Sequence, residues 1–158
     1  MVLFLTGVAA GVFGTLAMDS LNHLFSRTGI ILKIDIAMIG RMSAGWGKGR
    51  FRYSQPGEME PVDNDLFYGL ITHYAIGVTL ALPYVLGWYL LVGGPTSPVW
   101  ALVYGVATTV ASWFLVYPSM GMGVFGRHSP EGIKAALSPL ANHLFFGVGM
   151  AVAVALLN

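Results

Sequence analysis

The amino-acid sequence predicts an all-α polytopic membrane protein with four transmembrane helices. Of its 158 residues, 56% are hydrophobic and only 9% are charged, against about 25% charged in a soluble domain. A surface so poor in charge has to face lipid, and the mean hydropathy of +0.71 agrees. Four stretches reach the ~20 mainly apolar residues that a bilayer crossing requires, and polar or Pro/Gly-bearing segments separate them. A chain of this length is one domain, here residues 1–158 with a long loop at about 26–65.

The first span is expected at about residues 2–25. Its start, "MVLFLTGVAAGVFG", has the apolar core of a signal peptide. It lacks a basic leader and an A-x-A-like cleavage site, so it reads as a retained membrane helix. Gly7-x-x-x-Gly11 within it is a helix-contact motif and a candidate dimerisation face. In the loop, "GIILKIDIAMIGRM" mixes an apolar stripe with Lys33, Asp35 and Arg41, as an amphipathic helix on the membrane surface would. "GWGKGRFRY" is too rich in glycine for a helix and reads as turn; it has neither the spacing nor the preceding strand of a phosphate loop. "EMEPVDND" is an acidic approach to the second span, expected at about 66–92. Pro95 and Pro98 break the chain before the third, at about 98–118, and the fourth follows at about 137–157.

Spans one and three share a "GVA" stretch, at residues 7–9 and 105–107, and spans two and four share His-x-x-x-Gly-Val, at His73 and His143. This pattern suggests a duplicated helical hairpin. All eight basic residues lie in two loops: Arg27, Lys33, Arg41, Lys48, Arg50 and Arg52 in the first, Arg127 and Lys134 in the third. The positive-inside rule places both loops in the cytoplasm, with the termini and the uncharged tip "VGGPTSP" outward.

The absence of cysteine excludes disulfides, thiolate metal sites, iron–sulfur clusters and a cysteine nucleophile. A net charge of +1 gives no reason to expect a nucleic-acid partner. The lipid bilayer is the expected partner, with further copies or a larger complex, because four spans give a thin wall for a transport path.

The word "NHLF" occurs twice, at Asn22–Phe25 and Asn142–Phe145. Spans one and four run in opposite directions, so both words lie at the same, cytoplasmic side. Counted inward at about 1.5 Å per residue, Asp19, His73 and His143 all fall roughly 10 Å below that surface. His23 shares a helix face with Asp19 one turn toward water, and Thr15 lies one turn deeper. An ionisable residue in a membrane helix costs about 2.5–3.5 kcal/mol on insertion scales, which makes it a candidate for function. The candidate ligand-binding set is Asp19, His23, His73, His143, Thr15 and Asn142.

Three chemistries suit this set. It can bind or transport a small solute, an ion or a proton, with Asp19 carrying charge and the histidines binding or relaying. Asp19, His73 and His143 can form a 2-His-1-carboxylate set for a transition metal. His73 and His143 can be axial ligands to haem b, with Gly77 and Gly147 making room for the ring and Arg50, Arg52 or Arg127 meeting the propionates. Against these stands simple interhelical hydrogen bonding, with the glycines serving close packing. Met120 and Met122 suit either soft copper or gap filling. His128, in a basic loop, is expected to be solvated. No Ser-His-Asp triad emerges, so no catalytic residue is assigned.

Several motifs occur in a characteristic order: Thr15 with Met18 and Asp19; "IGRM" and "GRF" in the first loop; His73-Tyr74 with Gly77; "GPT" at 94–96; "P-x-MGMG" at 118–123; and His143-x-x-Phe146-Gly147. In these the chain resembles a family of small four-span bacterial inner-membrane proteins known only as a domain of unknown function. The resemblance covers nearly the whole chain and implies the four-span fold, an inner-membrane location and these candidate residues. The chain departs from the family pattern at Gly14, Asp65, Leu70 and Tyr117. It also has Tyr53 where the family has a histidine, so a role for that loop histidine does not carry over. The expectation is a membrane protein binding or transporting a small solute or ion at a cytoplasm-facing Asp/His site. The alternatives are a metal or haem protein on the same residues, and a structural subunit of a larger complex.

Overall fold

A computed structural model describes residues 1–157. It is built from helices α1 (Val2–Ser26), α2 (Ile36–Gly47), α3 (Asp65–Leu91), α4 (Pro98–Ser119) and α5 (Ile133–Leu157), with no strand among the described residues. All but α2 are long and apolar enough to cross a bilayer. The four spans thus stand where the sequence predicts them, except that α5 starts four residues early. Large apolar side chains point outward, among them Phe4, Leu16, Leu90, Leu115 and Leu156. The interior holds small ones such as Ala10, Ala81, Ala101 and Ala153 around Phe146 and Met150. That inversion of the soluble pattern is what lipid as solvent produces.

Helix α1 packs against both α3 and α5, and α4 packs against α5. Gly7 and Gly11 are used inside the chain: a Cβ on Gly11 would lie 2.4 Å from Val78 Cα, and one on Gly7 would lie 2.6 Å from a Leu82 methyl. The expected dimerisation face is therefore the α1–α3 contact. Helices α3 and α4, though consecutive, touch little. They meet near their connecting tip, where the Tyr84 hydroxyl donates to the Ser97 carbonyl and the Tyr84 and Tyr104 rings stand 5.4 Å apart.

Toward the loop side α3 and α4 diverge, and α2 fills the gap. Ile39 and Met42 of α2 join Met59 and Met120 in a second apolar cluster, bordered by Ile76 of α3 and Val116 of α4. Met120 and Met122 are packing residues here. Asp35 caps α2 by accepting from the Met38 amide at 3.0 Å, as an N-cap aspartate does. The helix runs through Gly45, Trp46 and Gly47, which the sequence reads as turn. Glycine is required at 45 because the Tyr53 hydroxyl sits 2.2 Å from where a Cβ would be. Nor is α2 a free surface helix. A Cβ on Gly40 would lie 1.8 Å from the Asp65 carbonyl oxygen, and one on Gly69 1.9 Å from that of Ile36. Arg41 Nε donates to Asp65 Oδ2 at 2.9 Å across the same crossing.

Helix α4 is irregular. Its α-helical hydrogen bonding breaks at Thr108, and a π-helical turn covers Ser112–Val116. Opposite it, Pro139 in α5 has no N–H to give the Ala135 carbonyl. The Tyr117 hydroxyl donates to that carbonyl at 3.0 Å, and Trp113 Nε1 donates to Ala136 O at 2.8 Å. The π turn brings both donors to the kinked partner, as such bulges often do at functional sites.

The α2–α3 crossing is the contact least able to accept a side chain. Gly69→Ala is expected to lower the stability of the detergent-solubilised protein by about 1–3 kcal/mol, the usual cost of overpacking. Thermal unfolding followed by helical circular dichroism measures this; an unchanged midpoint would rule the crossing out as a packing constraint.

Candidate functional site

The segment leading into α2, a strap at residues 32–35, is tied across the loop-side end of the bundle by two buried side chains. Asn22 Nδ2 donates to the Leu32 carbonyl at 2.9 Å, and Asn22 Oδ1 accepts from the Ile34 amide at 3.1 Å. The Leu32 amide donates to Ser138 Oγ at 2.8 Å. Because a carbonyl only accepts and an amide N–H only donates, the backbone fixes which way the Asn22 amide points. Asn22 Nδ2 also donates to Asn142 Oδ1 at 2.9 Å. The asparagines of the two "NHLF" words are therefore direct partners. The orientation of Asn142 follows from that of Asn22: its oxygen is used and its nitrogen is free. Among the described residues Asn142 Nδ2 has no hydrogen-bond partner, and protein atoms do not fully enclose it.

Two separate polar pairs lie deeper. His73 Nε2 of α3 and Asp19 Oδ1 of α1 stand 2.9 Å apart, with Tyr74 close enough to the carboxylate to interact with it. His143 of α5 is only 5% exposed and engages both ring nitrogens on α4, Nδ1 with Thr108 Oγ1 at 2.7 Å and Nε2 with Ser112 Oγ at 2.8 Å. The Thr108 hydroxyl proton is taken up by the Gly105 carbonyl at 2.5 Å. Thr108 must then accept from His143 Nδ1–H, which leaves Nε2 to accept the Ser112 hydroxyl. This is a neutral imidazole in a defined tautomer, set by the break at Thr108 and the start of the π turn.

A cavity of about 230 Å³ opens between these groups. Thr15 and Met18 line it from α1, Leu32 to Asp35, Met38 and Ile39 from the strap and α2, and His73, Ile76, Gly77 and Leu80 from α3. Ser112 and Val116 of α4 and Asn142, His143 and Phe146 of α5 complete most of the wall. The strap and α2 therefore form its loop-side cover.

The structure brings together Asp19 with His73, and places Thr15, His73, Asn142 and His143 around the cavity. It does not bring the other predicted residues there. Asp19 stands behind His73 rather than on the wall, and His23 is exposed, 2.7 Å from Arg27. His128 is exposed as expected, with Nδ1 3.1 Å from the Gly121 carbonyl.

The predicted metal set is not assembled. Equal depth put Asp19, His73 and His143 at one level, but helix rotation pairs the first two and turns His143 to α4; among the described residues no three His, Cys, Asp or Glu side chains are placed to hold one ion. The bis-histidine haem arrangement fails for a related reason. His73 Nε2 faces Asp19 and both nitrogens of His143 are engaged. The space beside the two glycines is filled: a Cβ on Gly77 would lie 2.0 Å from Thr15 Oγ1, and one on Gly147 2.7 Å from the Leu102 carbonyl. Arg50 is held in the loop by Glu58 at 2.8 Å.

Thr108, Ser112 and Ser138 were missed in the sequence. Their signal was present in "ATTVAS", three hydroxyls inside an otherwise apolar span, and in Ser138 before a helical proline.

The profile of a sequence family described as "Protein of unknown function (DUF2938)" matches residues 8–157. The chain belongs to this DUF2938 family. The match includes every wall residue of the cavity and both NHLF words, so the site lies wholly within the family domain. No curated protein and no solved structure matches the chain.

Asn22 holds the strap by two hydrogen bonds and Asn142 by a third. Asn22→Leu, which keeps the branched heavy-atom skeleton and removes the polar groups, is expected to cost about 2–4 kcal/mol, from lost bonds at about 1 kcal/mol each and stranded partners. It should also raise amide exchange at Leu32 and Ile34 selectively; exchange unchanged there would mean that the strap is held by something else.

Proposed function

We propose that this protein is an integral membrane protein that binds a small solute in the central cavity, reached from the loop side, as part of binding or transport. The observation that carries the reading is the cavity itself. All four spans and the cover contribute to it, and polar groups from each of the four spans face an otherwise apolar space. Binding sites have this composition, a mainly apolar wall with a few placed polar groups. The volume lies below the roughly 300–1,000 Å³ of drug-sized pockets, so the solute is small.

Structural glue accounts for part of the polar content. The His143 hydrogen bonds join α5 to α4, and the Asp19–His73 pair joins α1 to α3. Glue does not account for a void among them, nor for an amide donor left unpaired at its edge. The Asp19–His73 pair suits the role of proton or charge carrier beside the solute: a carboxylate fixes one ring nitrogen, and Nδ1 of the same ring has no partner among the described residues. The clustering of basic residues in the first and third loops supports an orientation with the cover and cavity mouth on the cytoplasmic side of the inner membrane.

Ala111→Leu places three extra carbons against the cavity. It is expected to abolish thermal stabilisation by any solute found to raise the unfolding midpoint of the unaltered protein, while the protein stays folded. Asp19→Asn should leave that stabilisation in place but stop uptake into proteoliposomes. A panel of small solutes in which none stabilises the protein, or in which Ala111→Leu responds equally, would end the reading.

A further inference from the structure

We infer that the cavity selects an uncharged molecule carrying a hydrogen-bond acceptor, which Asn142 Nδ2 engages. This rests on the small-solute reading and narrows it to a ligand class. The titratable groups that face the cavity, or stand directly behind its wall, are Asp19 on α1, Lys33 and Asp35 on the cover, His73 on α3, Tyr117 on α4 and His143 on α5. Asp19 and His73 face each other. Lys33 and Asp35, exposed at the mouth, are of opposite sign. Tyr117 gives its proton to the Ala135 carbonyl. His143 is neutral in the tautomer that Thr108 and Ser112 set, and protonating it would break the Ser112 bond. Among the described residues Lys33 makes no ion pair, but it stands at the exposed mouth; deeper in the cavity no wall residue offers a charge without a partner, so an ion entering there would shed water and gain no counter-charge.

The hydrogen-bonding inventory then decides what an uncharged ligand has to bring. Thr15 donates to the Gly11 carbonyl, Ser138 to the Lys134 carbonyl and Ser112 to His143. Below the mouth, the lining side chains with an unpartnered group among the described residues are His73, through Nδ1, and Asn142, whose amide has a donor to spare. Asn142 is 8% exposed, and its oxygen is committed to Asn22. This donor has no protein partner, and a ligand acceptor would supply one. The remaining wall, including Met18, Ile76, Leu80, Val116 and Phe146, takes an apolar body.

The test uses three branched four-carbon probes, isobutyramide, isobutyrate and isobutylammonium, with the full-length protein in detergent and saturation-transfer NMR as readout. Ala111→Leu serves as the blocked-cavity control. Isobutyramide is expected to bind at least about tenfold more tightly than either ion. Asn142→Asp keeps the oxygen that faces Asn22 and removes the amide donor, and should weaken the amide by a similar factor, with a lower unliganded midpoint from the uncompensated carboxylate. In the unaltered protein, the side-chain amide resonance of Asn142 should shift on adding isobutyramide, a readout that needs no variant. Tighter binding of an ion, blocked by Ala111→Leu, would overturn the inference and leave the solute reading standing. Amide binding with no Asn142 shift and no loss in Asn142→Asp would do the same. Failure of all three probes to bind in a way that Ala111→Leu blocks would overturn both.

Discussion

The loop-side end of the bundle depends on one buried carboxamide. Asn22 satisfies the backbone of the strap with one oxygen and one nitrogen hydrogen, and spends its second hydrogen on Asn142 of the opposite helix. A membrane interior offers little water to satisfy a loose loop backbone, so irregular chain persists there only where protein groups take up its hydrogen bonds. The strap, at the loop-side end of the spans, has its backbone hydrogen bonds taken up in that way by Asn22 and Ser138. Once it is fixed, Asp35 is in place to cap α2, α2 is in place to close the gap between α3 and α4, and the cavity has a cover. The asparagine that looks out of place in a greasy helix is what allows the other exceptions.

The two hairpins use a similar device to different ends. In each, a histidine bonds the partner helix of its own hairpin and the glycine one turn on makes the close contact, Gly77 on α1 and Gly147 on α4. The hairpins are nevertheless not equivalent. If they were exact copies, the α1–α5 contact would match the α3–α4 contact. The first is extensive and the second is confined to the tip, because α2 occurs only between α1 and α3 and is wedged where α3 would meet α4. The cavity follows from that asymmetry, since two equivalent hairpins of small residues would close on each other.

Much of this was legible in the sequence. Hydropathy and chain breakers place the spans, since lipid leaves few alternatives to a long apolar helix. Counting depth places both NHLF words at one end, and Asn22 meets Asn142 there. Depth also puts Asp19 level with His73, which pair. Depth alone says nothing of rotation about the helix axis, and His143 turns away from that pair for this reason. Its partners depend on the break at Thr108 and the π turn at Ser112, which change the rotational register of α4 and follow no regular period. Helix α2 was legible as an amphipathic stretch but not in extent. The glycines that argue against helix in isolation are the ones its crossing with α3 and its contact with Tyr53 demand.

What separates a binding site from interhelical glue is the balance of donors and acceptors. Glue is complete in itself: every proton has a taker, as in the Gly105–Thr108–His143–Ser112 chain, which closes with no group left over. A site is a place where that account stays open. At Asn142 it stays open in a defined direction, because the strap backbone fixes Asn22 and Asn22 fixes Asn142. Rotating the Asn142 amide to satisfy its nitrogen elsewhere would set two donors face to face, so the free donor is not a matter of rotamer choice. The same hydrogen bonds that close the cover therefore present the donor to the cavity, and loosening the cover would also release Asn142 from that orientation.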